Sequence, residues 1–172
     1  MRPEFRDVLY SRHSTRSFTD RIITKSEIHS MLDAAIHAPN ACNMQSWHYY
    51  IITDPAVKEK LETESICAPW VAKAPVIFVI CTDAGELISR FGEKGEIFAL
   101  QDTAAAAENL LLCATDMGLG GCIIGAFNSE KCRTLLSVPK KQNIAMLIPI
   151  GEPDEPVAPK TRKPIEVVVT YV

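Results

Sequence analysis

The stretch DTAAAAENLLLCATDM, Asp102 to Met117, constrains the fold more than any other part of the chain. Its residues are helix formers, apolar or small on nearly every side, and Gly118 directly after them supplies a stop. A helix with so little polar face has to be buried on most sides, so other layers must surround it. The alanines at 104 to 107 either remove bulk, letting another backbone approach closely, or serve simply as the best helix formers. Both readings stand at this point.

The rest of the chain supplies those layers. Pro3, Phe5, Val8 and Leu9 suggest a first helix ending near Ser11. Thr24-Lys25-Ser26-Glu27 has capping-box spacing, and Ile28, Met31, Leu32, Ala35 and Ile36 continue as one apolar stripe until Pro39. Aromatic and β-branched residues at 47 to 53 predict a strand, Asp54-Pro55 opens a helix to about residue 64, and Pro75 precedes a buried strand through Thr82. A short helix over 129–137, a strand over 143–150 and a strand-like tail, IEVVVTYV at 165–172, complete the reading. Prolines at 153, 156, 159 and 164 keep the segment before the tail irregular. These signals predict one α+β domain spanning residues 1–172.

Composition narrows the function. At 172 residues and 47% hydrophobic content the chain can bury an ordinary core, and a net charge of -3 argues against nucleic acid as a partner. Its longest apolar runs fall short of the ~20 residues of a membrane helix, and the charged N-terminus does not read as an export signal. A cytoplasmic protein is expected. The six cysteines form no Cys-x-x-Cys pair and the four histidines are dispersed, so no metal site is expected and the thiols read as small buried hydrophobes.

Against this acidic background, RHSTR (Arg12-His13-Ser14-Thr15-Arg16) and PKTRK (159–163) concentrate cations and hydroxyls in irregular segments. Guanidinium forks and hydroxyls suit a phosphate, although each cluster taken alone also fits solvated surface charge. The loop Asn40-Ala41-Cys42-Asn43-Met44-Gln45 carries three amides, which suit the edge of a heterocycle or a polyol, or else form an ordinary turn. GLGGCIIG at 118–125 follows a helix and breaks the G-x-G-x-x-G spacing at Ile123, which disfavours a nicotinamide Rossmann site. Gly120 and Gly121 could still let backbone lie against a planar ring.

Taken in order, RHSTRSF, APNACNMQSW at 38–47, GLGGCIIG and PKTRKP resemble the FMN-dependent nitroreductase family across most of the chain. The resemblance implies a nitroreductase-like fold: a central mixed, largely antiparallel sheet flanked by helices, in an intertwined homodimer with two FMN sites at its interface. It implies that Arg12, His13, Ser14 and Arg16, joined by Lys160 and Arg162, hold the phosphate and ribityl end of the flavin. Asn40, Ala41, Asn43 and Gln45 would form the loop that reaches the flavin of the second subunit, and Gly120 and Gly121 would lie at the isoalloxazine ring. The chain differs from the usual pattern in having Asn40 for Ser, Ser46 for Pro and Ile123 for Trp. Only about twenty residues lie between the Thr82 strand and the Asp102 helix, where longer relatives insert covering helices.

The activity so implied is hydride transfer from NADH or NADPH to FMN and onward to an electron-poor small molecule such as a nitroaromatic or quinone. No acid or base catalyst is named. A flavin-dependent reductase of another specificity (enoate reduction, dehalogenation, flavin breakdown) and a non-catalytic FMN carrier or sensor are the alternatives.

Overall fold

A computed structural model describes residues 3–66, 68–156 and 161–172. Its sheet has the order β1-β2-β4-β3, with β1 Trp47–Ile52, β2 Val76–Thr82, β3 Gly120–Gly121 and β4 Asn143–Gly151. Every strand pairing is antiparallel, and one isolated parallel bridge joins Ser14 to Gly121, so the sheet is mixed and largely antiparallel as expected. The helices among the described residues are α1 Phe5–Ser11, α2 Lys25–Ile36, α3 Pro55–Ser65, α4 Gly85–Phe91, α5 Lys94–Asp116, α6 Ser129–Leu136 and the single turn α7 Ile165–Val168. None of them is long and apolar enough to cross a membrane.

Strand β2 is buried along its whole length because helices cover both faces of the sheet. Val76, Phe78 and Ile80 point to a core built with Met31 and Ala35 of α2 and Ala106, Ala107 and Leu110 of α5. Ile77, Val79 and Cys81 point the other way, to Leu61 of α3 and Cys132 of α6. The period-two alternation of a strand thus feeds two cores, which is why the run VIFVICT has no polar side. Between Ile80 and Cys81 the register against β4 slips by one residue, leaving Ala145 as a bulge.

Local chemistry sets the helix ends. The Thr24 hydroxyl accepts from the Glu27 N–H while the Glu27 carboxylate accepts from the Thr24 N–H, closing the capping box. The Asp54 carboxylate accepts from the Val57 N–H, and Pro55 occupies the first position of α3. Helix α5 ends where Gly118 takes φ +73 and Leu119 N–H bonds the Ala114 carbonyl at 2.8 Å, a left-handed stop that glycine adopts most readily.

Two expectations need correction. Helix α5 begins at Lys94 rather than near Asp102, and α4 precedes it, so the stretch after Thr82 is mostly helical. Gly85 and Gly95 hide this in the sequence by lowering helix propensity where packing overrides it, and Gly92, at φ +61, ends α4 between the two helices. The tail is not a strand: α7 forms one helical turn after Pro164, with Val167 N–H bonding the Pro164 carbonyl at 3.1 Å, and the residues beyond pair with no strand among the described residues. β-branched composition favours strand only where a neighbouring strand supplies the ladder.

Candidate functional site

Helix α5 organises the sequence motifs. Arg12 follows the C-terminus of α1, and its Nε lies 3.7 Å from a Glu108 carboxylate oxygen on α5. Ala41, at the start of the amide loop, donates its N–H to Asp102 Oδ1 at 2.9 Å. Leu111 packs where a side chain on Gly121 would project. Asp102, Glu108 and Leu111 lie within about two and a half turns of one helix.

The RHSTR segment runs beside β3. Thr15 N–H bonds the Gly121 carbonyl at 3.1 Å, and further on Thr19 N–H bonds Glu152 O while Asp154 N–H bonds Ser17 O. The segment after the first cationic motif is therefore stitched to residues 152–154, a few positions before the second. Thr15 is buried, Arg12, His13 and Ser14 are half-buried, and Arg16 is exposed. His13 Nδ1 faces the Ser11 carbonyl at 3.0 Å and Nε2 faces Thr15 Oγ1 at 3.1 Å. A carbonyl only accepts, so in the neutral ring the proton sits on Nδ1 and Nε2 accepts from the Thr15 hydroxyl. His13 is thus a support for Thr15.

Thr15 in turn explains Gly120. A Cβ on Gly120 would overlap Thr15 Oγ1 and stand 2.9 Å from Thr15 Cβ, so the residue must be glycine for this strand to close on the RHSTR segment. Gly120 and Gly121 are both buried, and contacts within the chain account for their lack of side chains.

The amide loop has an unusual backbone. Cys42, Asn43 and Gln45 take φ of 53°, 55° and 50°, left-handed values that non-glycine residues adopt at a cost of order 1 kcal/mol or more each. Asn40 Oδ1 accepts from the Gln45 N–H at 2.9 Å, and Asp83 N–H bonds Ser46 O at 3.1 Å where the loop enters β1. Asn43 and Gln45 are exposed. Clustered left-handed residues held by surrounding structure are characteristic of binding loops.

Arg162 lies in the exposed segment 161–172 and donates to the Thr161 carbonyl at 3.2 Å. Lys160 falls outside the described residues. Sequence reading overlooked three residues: Thr15 as a partner of Gly120, and Asp102 and Glu108 as anchors on α5. Asp102 left a signal, a carboxylate directly before the run of small residues Thr103 to Ala107.

A profile of the Nitroreductase family matches residues 9–73 and 62–152. The chain belongs to the nitroreductase family. An FMN reductase (NADPH) of Bacillus subtilis is 31% identical over 176 residues, covering 94% of this chain and 71% of that protein. Nitroreductase A of Vibrio parahaemolyticus superposes with a TM-score of 0.88 at 26% identity over 97% of this chain and 74% of its own. A nitroreductase family protein of Streptococcus pneumoniae has the same fold, with a TM-score of 0.89 at 22% identity over 98% and 100% of the two chains.

Proposed function

We propose that Arg12, Ser14 and Arg16 grip the phosphate of FMN, with His13, Lys160 and Arg162 completing that end of the site and Asn40, Ala41, Asn43 and Gln45 meeting the flavin through the amide loop. As a nitroreductase family member, the chain is an NAD(P)H-dependent FMN oxidoreductase. The donor set suits the cofactor: two guanidiniums and a hydroxyl near one end of the chain match an anionic phosphate, and exposed amides that both donate and accept match a polar ring edge. Arg16 makes no ion pair among the described residues, and the Arg12 contact with Glu108 is long at 3.7 Å, so both retain donors to offer. The observation that carries the reading is the strained amide loop, which ordinary turn chemistry does not require.

Bound flavin supplies hydride acceptance and donation, chemistry no side chain here provides. The protein's part is to hold it. Arg12 and Arg16 neutralise the phosphate and Ser14 orients it. The terminal acceptor is an electron-poor small molecule, a nitroaromatic or a quinone.

The site is shared between two copies of the chain. Ile97 (54% exposed), Leu100 (52%) and the exposed Ala104 form a stripe along α5. The tail adds Ile165, Val167 and Val168, each more than 60% exposed. Surfaces of this kind mark protein interfaces. A cytoplasmic setting is supported by five unpaired cysteines among the described residues. Initial rates with NADPH or NADH against a nitroaromatic or a quinone test the acceptor class: parallel double-reciprocal lines are expected, and absence of turnover with both acceptors would refute it.

A further inference from the structure

Asp102 does not help the fold in an obvious way. It is 5% exposed, its Oδ2 has no hydrogen-bond partner among the described residues, and burial raises its carboxyl above the usual range. A buried acid that is half satisfied is unfavourable compared with an apolar residue of similar size. What it does is accept the Ala41 N–H at 2.9 Å, at the mouth of a loop in which Cys42, Asn43 and Gln45 are all left-handed. The other end of that loop is held by β1 and the Asp83 N–H. Asp102 is therefore the polar anchor at the Ala41 end, and Ala41 and Met44 add apolar packing against Leu87 and Ala99.

Resting on the FMN reading above, we propose that Asp102 is a positioning residue: through the Ala41 N–H it holds the amide loop in its strained, flavin-competent conformation without touching the flavin. Releasing Ala41 lets the left-handed residues relax, and Asn43 and Gln45 leave the geometry in which they meet the ring.

Two readouts test this on the full-length protein. The first is hydrogen exchange of residues 41–46 in the flavin-free protein, and the second is the FMN dissociation constant. Asp102→Asn keeps an acceptor in place, so exchange and affinity stay near wild type. Asp102→Ala speeds exchange in 41–46 selectively and weakens FMN on the order of tenfold, the upper range for one removed hydrogen bond. Should the alanine variant fail to fold, Asp102→Glu, which keeps the charge but displaces the acceptor, is read in its place with the same expectation. Wild-type exchange and affinity in Asp102→Ala, or equal losses in the alanine and asparagine variants, would overturn the proposal. A wild-type protein that takes up no FMN counts against the FMN reading itself, and the exchange comparison still judges the anchor.

Discussion

At the level of single residues, charge and backbone geometry do most of the work. Arg12 offers a guanidinium that Glu108 only loosely engages. Arg12→Ala is therefore expected to weaken FMN binding by ~1.5–3 kcal/mol, the range for a lost hydrogen bond to a charged group. Titration of the flavin-free protein with FMN measures this, and wild-type affinity would remove Arg12 from the site. Gly120 makes a different prediction, because a methyl group there runs into Thr15. Gly120→Ala should destabilise by about 1–3 kcal/mol and lower Tm by several degrees. A thermal scan showing no change would contradict the close approach of the two segments. The cationic and amide motifs were legible in the sequence because their chemistry is carried by residue type. The role of Gly120 was not, since the atom that forbids a side chain belongs to a residue 105 positions away.

Secondary-structure elements show where local signals suffice. The capping box at Thr24 and the Asp54-Pro55 start of α3 formed as their spacing predicts, and β1, β2 and β4 fell within a residue or two of the expected limits. The start of α5 and the tail did not, because in the first case packing against α4 overrides Gly95 and in the second no ladder partner is present among the described residues. The capping box also gives a pH test. The Glu27 carboxyl is held below its usual value of 4.5, chiefly by the Thr24 N–H, with the Thr24 hydroxyl and Arg21 adding to it and partial burial opposing. A lowered folded-state value means that the stabilisation is fully present above pH 4.5 and disappears as pH falls through the lower, folded-state value. Glu27→Gln should therefore melt below wild type at neutral pH, with the gap closing in acid. A gap of constant size from pH 7 down to pH 3 would show that the charge is not involved.

Across the whole molecule, the exposed apolar stripe of α5 and the exposed tail are the surfaces that the proposed second copy would cover. Deleting residues 165–172 should weaken dimerisation and FMN retention together, and sedimentation with flavin absorbance on the same sample reports both; a flavin-replete monomer would contradict the shared site. The sheet is buried between two helical layers, and α5 contacts the RHSTR segment, the amide loop and the glycine strand. That arrangement matters only if a flavin is bound and accepts hydride. The direct measurement is the visible spectrum of FMN-loaded protein on anaerobic addition of NADPH or NADH. The account predicts that the flavin band bleaches and returns when a quinone or nitroaromatic is added; a protein that takes up no FMN, or bound FMN that stays oxidised with both nucleotides, would contradict it.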